Sequence, residues 1–162
     1  MFGEHRYEVR TEWLGDRGEG TASYRAYGRE LRTSAAGKLH EIAGSADRTF
    51  HGDAERWNPE ELLLAALSQC HMLSYLHVAT KHGVIVRGYR DAARGTMEED
   101  GRGGGAFVEA VLRPVVEVAD ASMLAVADRI HEEAAEKCFI AASVAFPVRH
   151  EPVSRVWMPQ AG

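Results

Sequence analysis

The sequence predicts an α+β fold with antiparallel β-sheets and two helices, and three observations lead there. Near the start, Tyr7, Val9, Thr11 and Trp13 alternate with Glu8, Arg10 and Glu12, the period-two pattern of a strand with one buried face. Two later stretches, one beginning at Pro59 and one around Met123, carry their apolar residues at helical density or spacing. The order is then strands, helix, strands, helix, strand, without the regular strand-and-crossover alternation of a doubly wound parallel sheet.

Taken along the chain, residues 7–13 form the opening strand, and Gly15, Asp16, Gly18 and Gly20 make a turn. Residues 21–27 and 29–34 read as extended, and Ala36-Gly37 turns the chain into residues 38–42, so the first forty or so residues predict an antiparallel meander. Residues 44–57 are polar and irregular. Asn58-Pro59-Glu60-Glu61 then supplies a cap residue, a proline suited to the first helical position and acid in the first turn. All of residues 62–67 are apolar, which marks a buried central helix rather than a surface one. That helix should end near His82-Gly83, where glycine can take the left-handed terminal conformation.

Residues 84–96 are rich in β-branched and aromatic residues and, after a loop at 98–105, residues 106–118 alternate again, which predicts two more strands. Met123, Val126, Ile130 and Ala134 recur at helical spacing, with Asp120 as the cap, and residues 139–148 return to strand character. Cys138 sits where this second helix gives way.

With 162 residues and 45% hydrophobic content, the chain can bury one real core, and a single domain over residues 1–162 is expected. Two apolar helices exceed what one sheet face covers in so small a chain, which predicts a homodimer that buries both. The net charge is −5, from 24 acidic and 19 basic side chains, without a long like-charge run. Nothing there attracts a phosphate backbone, so no nucleic-acid partner is expected. Residues 1–10, MFGEHRYEVR, lack the basic-then-apolar pattern of a secretory signal, and no stretch reads as the roughly 20 apolar residues of a membrane helix. A cytoplasmic protein without a membrane partner is the expectation.

Two cysteines, Cys70 and Cys138, are present. In a cytosolic chain of this size they are not needed as a staple, and a cytosolic disulfide is more often catalytic or redox-sensing than structural. Free cysteine is equally at home in a core as a small hydrophobe, so neither sulfur is assigned by itself. His71, His77 and His82 follow Cys70 without the short paired spacing of a zinc site, and neither metal nor cofactor is expected. His71, adjacent to Cys70, points about 100° away around a helix, which argues against a Cys-His hydrolase and leaves His71 a structural or surface residue. Glu61 falls at the third helical position, where it can close a capping box. Glu60 has no such local duty and suits either the helix dipole or a site.

The segments Asn58-Pro59-Glu60-Glu61-Leu62-Leu63-Leu64-Ala65-Ala66-Leu67-Ser68-Gln69-Cys70 and Glu136-Lys137-Cys138-Phe139-Ile140 resemble the OsmC/Ohr family, whose NPE(E/Q)L helix motif ends in a cysteine at this spacing. The order of elements is similar along nearly the whole chain. Phe139 stands where well-known members often have proline, and Ser45, Arg48, His51 and Asp53 lie in a segment that looks like a less-characterised branch.

The resemblance implies an intertwined homodimer and a thiol-dependent reductase of organic, lipid-like hydroperoxides. Cys70 would attack and become a sulfenic acid, Cys138 would resolve it to an intrachain disulfide, and an external dithiol, dihydrolipoamide in this family, would reset the pair. The family also pairs an arginine with the NPE glutamate in support of the thiolate. Glu60 is the matching acid; Arg17, Arg29, Arg48 and Arg56 are the candidate bases, and Arg29 is chosen because a strand can hold it rigidly. The alternatives are a noncatalytic binder of hydrophobic ligands on the same fold and a redox sensor. Ten residues separate Glu60 from Cys70, about 15 Å along a straight helix. A joint site therefore predicts a helix break between Ala65 and Gln69, with Ser68 capping a second helix.

Overall fold

The computed structural model describes residues 3–159, and the chain divides into two compact units, one ending at Leu63 and the other beginning at Leu64. Met1 and Phe2, weighed above as part of a leader, lie outside the described residues.

The first unit holds strands β1 (Arg10–Trp13), β2 (Leu31–Ser34) and β3 (Ile42–Gly44). They pair antiparallel in the order β1-β2-β3, with Arg10 opposite Ser34 and Leu31 opposite Gly44. The predicted meander is present, but β1 begins only at Arg10 and all four of its residues are exposed. Strands of three or four residues are too short to enclose an apolar face by themselves. Residues 21–27 are turns rather than the predicted extended segment. The Asp16 carboxylate accepts the amides of Gly18 and Gly20 at 2.8 and 3.0 Å, and both glycines have positive φ, 104° and 55°. Local bonds from Ala22 to Glu19 and from Ala26 to Ser23 continue the coil, so side-chain and turn bonding displaces the strand.

Helix α1 (Pro59–Lys81) starts as the sequence predicts. The Asn58 side chain accepts the Glu61 amide at 2.8 Å and the Glu61 carboxylate accepts the Asn58 amide at 3.4 Å, a closed capping box. Gly83, with φ 69°, follows its end. The expected break between Ala65 and Gln69 is absent, and the helix is continuous over 23 residues. Leu, Ala, Gln and Met around Ser68 are strong helix formers, and one serine hydroxyl does not outcompete them. Among the described residues α1 is also the one helix long and apolar enough, by length and composition, to cross a membrane, which corrects the sequence reading. Its buried residues Leu67, His71, Tyr75, Val78 and Ala79 form one stripe, the pattern of a core helix. Leu73 is 63% exposed, so the helix is not buried all round as predicted.

In the second unit each of the two predicted strands is divided, giving β4 (Val86–Asp91), β5 (Arg94–Glu99), β6 (Gly105–Leu112) and β7 (Pro114–Val118). The divisions arise because β4 pairs with β7 in one sheet while β5 pairs with β6 in another. At the bend the Asp91 carboxylate accepts the Arg113 amide at 2.6 Å, and Pro114 opens β7. Asp120 caps a 3-10 turn over Ala121–Met123, which leads into α2 (Leu124–Glu136). Residues 139–148 are largely not strand. Ala142 and Ser143 donate back to Cys138 and Ile140 in a 3-10 turn over Ala141–Ser143, and only β8 (Val148–His150) is extended, followed by an unpredicted β9 (Val153–Val156). These strands add parallel to β6 and β7, so the sheets are predominantly rather than wholly antiparallel. The main core joins Tyr75, Val78 and Ala79 of α1, Val116 and Val118 of β7, and Ala127, Ile130 and Ala134 of α2. Full burial of side chains like Val78 and Ile130 stabilises by about 1.5–3 kcal/mol each.

Candidate functional site

Both cysteines lie in the second unit and both are free thiols. Cys70 sits in mid-helix on α1, half-buried. Cys138 follows the end of α2, where the amides of Lys137 and Cys138 close the last turn on Ala134 and Ala135, and it is 2% exposed. The Ser74 hydroxyl donates to the Lys137 carbonyl at 3.4 Å, tying this turn to α1 one helical turn beyond Cys70. The two thiols are near enough for Cys70 to raise the Cys138 pKa, a proximity that spacing in the sequence cannot reveal.

The environment treats the two thiols differently. Burial first, and then the neighbouring Cys70 sulfur, push the Cys138 thiol up to about 11. Cys138 therefore keeps its proton at neutral pH and can donate it toward Cys70. Cys70 has the solvent access that an attacking sulfur needs.

Glu60 stands apart from this pair along α1, and Arg29 belongs to the first unit. The continuous helix leaves Glu60 about 15 Å along the axis from the Cys70 of its own chain, which corrects the joint site built on a helix break and returns Glu60 to the helix end. One of its carboxylate oxygens is nevertheless buried without a hydrogen-bond partner. Arg29 serves its own loop, donating to the carbonyls of Tyr27 and Tyr24 at 2.6 and 2.9 Å. Its guanidinium lies over both tyrosine rings, 4.2 Å from the Tyr27 centroid and 4.4 Å from that of Tyr24. Among the described residues no ion pair joins it to Glu60. It lines a polar pocket of about 550 Å³ in the first unit together with Arg17, Arg25, His51 and Asp53.

Three histidines gather in the core of the second unit. His71 and His131 are 0% and 3% exposed, and His71 Nε2 meets His131 Nδ1 at 3.1 Å. His150 packs on His71 and Tyr75 on His131, each with ring centroids 4.2 Å apart. Burial, and then the neighbouring His150, drive His71 down to about 3, and burial lowers His131 to about 4 and His150 as well. All three are neutral imidazoles at neutral pH. The sequence reading left His71 as structural or surface; its place on the Leu67–His71–Tyr75 stripe signals burial, but its pairing with His131 leaves no trace in spacing. Among the described residues no group of histidine, cysteine and carboxylate side chains is arranged to hold a metal ion.

Comparison with known proteins bears on this site. The family model described as OsmC-like protein matches residues 52–152. No curated protein sequence gives a significant match. Among solved structures, an OsmC-like protein of unknown function from Vibrio cholerae is 29% identical, with a TM-score of 0.83 over 93% of this chain and 100% of that one. An organic hydroperoxide resistance protein from Legionella pneumophila is 16% identical, with a TM-score of 0.67 over 94% and 100% of the two chains. One from Elizabethkingia anophelis is 14% identical, with a TM-score of 0.66 over 95% and 99%. The last two likenesses establish the shared fold.

Proposed function

Since the chain belongs to the OsmC-like protein family, we propose that it is a thiol-dependent peroxidase that reduces organic hydroperoxides, Cys70 attacking and Cys138 resolving. The observation that carries this reading is the nearness of a half-buried Cys70 to a buried, protonated Cys138. Two cysteines serving only as core hydrophobes have no need to meet.

The Cys70 thiolate attacks the terminal peroxide oxygen, the O–O bond breaks, and sulfur is oxidised to the sulfenic acid while the alkoxide takes a proton and leaves as alcohol. Cys138 then attacks the Cys70 sulfur, and the expelled hydroxide takes the Cys138 proton and departs as water. The disulfide is reduced by an external dithiol such as dihydrolipoamide. A cytoplasmic setting fits this cycle, because both thiols begin reduced. Leu73 and Phe139, each close in sequence to one of the cysteines, are 63% and 82% exposed. In a homodimer a second copy covers such residues, and an apolar surround favours organic over hydrogen peroxide.

Stopped-flow oxidation of the reduced protein by cumene hydroperoxide, followed by thiol counting and peptide mapping, tests the reading. Loss of two thiols per peroxide and a Cys70–Cys138 linkage within one chain are expected. Peroxide left unconsumed, with both thiols intact, would overturn it.

A further inference from the structure

We propose that the buried His71–His131 pair is a register pin that fixes α1 against α2 so that the sulfurs of Cys70 and Cys138 meet. The proposal rests on the two-cysteine reading above, and the residues it names are positioning residues rather than groups that touch substrate.

The pair lies on the two cysteine-bearing segments themselves. His71 follows Cys70 on α1, and His131 stands two helical turns before Cys138 on α2. Their 3.1 Å bond is a buried side-chain-to-side-chain link between the helices; the His82–Glu133 contact and the Ser74 bond to Lys137 are exposed. Apart from Tyr75, which bonds a backbone carbonyl of α2, the remaining facing residues, Val78 and Ala79 against Ala127, Ile130 and Ala134, are apolar and mostly small, and such faces pack acceptably at more than one offset. A directional bond between two rings is satisfied at one offset only.

The rings are held stiffly enough to serve as a pin. His150, His71, His131 and Tyr75 form a continuous stack, and the Tyr75 hydroxyl donates to the Ala127 carbonyl at 3.0 Å, anchoring the far end to α2. The arrangement is also a poor choice for stability alone. One nitrogen of each paired ring, His71 Nδ1 and His131 Nε2, is buried without a partner, a cost that two apolar side chains would avoid. Because both imidazoles are neutral at neutral pH, the link works as a hydrogen bond and not as an acid–base pair.

The test measures how readily the two sulfurs join, by equilibrating the full-length protein with dithiothreitol and its oxidised form and deriving the effective concentration of Cys138 at Cys70. It needs no peroxide, so it separates this proposal from the peroxidase reading. The double variant His71→Leu/His131→Leu should lower that effective concentration by about tenfold or more while the thermal midpoint stays level or rises. His71→Gln/His131→Asn places amide groups where Nε2 and Nδ1 stood and should restore it. Should the leucine pair not fold, His131→Gln alone supplies the comparison, since its amide occupies the wrong ring position and should show the same loss. An unchanged effective concentration in the leucine pair or in His131→Gln, or equal loss in the leucine and amide pairs, would overturn the proposal.

Discussion

Cys70 and Cys138 meet from opposite kinds of structure. Cys70 rides in the middle of a long, continuous helix, half open to solvent, whereas Cys138 lies in the closing turn after a shorter helix, almost wholly buried. The same chemical group is thereby given two characters: one sulfur is reachable, and the other is held protonated beside it. In the proposed cycle, a division of labour between identical residues comes from access and desolvation.

The largest expected effect breaks this division outright. Cys70→Ser should abolish cumene hydroperoxide consumption, while Cys138→Ser should complete one rapid turnover and stall as sulfenic acid, read by stopped flow and by mass of the trapped adduct. Equal loss of the first turnover in both variants would erase the distinction.

A second expectation concerns the histidine core beneath the pair. His71 and His131 titrate at about 3 and about 4 in the folded protein against the usual 6.5, so the unfolded chain binds more protons across that interval. Their contribution to stability is complete above about pH 6.5 and is lost as pH falls toward 3. Denaturant midpoints between pH 7 and 4 should fall steadily, and His71→Leu/His131→Leu should flatten that fall. An equally steep fall in the double variant would place the acid sensitivity elsewhere.

Smaller effects sharpen the account of the helix that carries Cys70. Asn58→Ala opens the capping box and should cost about 1 kcal/mol by chemical denaturation. Glu60→Gln should leave the first-turnover rate at Cys70 within about twofold, because about 15 Å of straight helix separates the two within a chain. A hundredfold loss would show that Glu60 reaches a reacting sulfur after all.

What was legible in the sequence was whatever depends on near neighbours or on a motif. Asn58 and Glu61 announced their box, Gly83 its helix end, and the meander its turns. The nearness of Cys70 and Cys138 was implied by the family resemblance of two motifs, not by spacing. What stayed hidden depends on competition or on distant partners. Asp16 bonding Gly18 and Gly20 turned a β-like segment into coil. Strand division at Ala92-Ala93 and Arg113 follows from which strands pair across the sheets. Ser68 failed to break a helix of strong formers, and a histidine bond spanning 60 residues has no local signature.

Alkylation of the native protein by iodoacetamide across a pH series, with each cysteine followed by peptide mass, addresses the inequality of the sulfurs most directly. The account predicts that Cys70 is labelled first at neutral pH and that Cys138 stays protected until the pH approaches 11. Labelling of Cys138 at neutral pH as fast as Cys70, in protein still folded by circular dichroism, would contradict it.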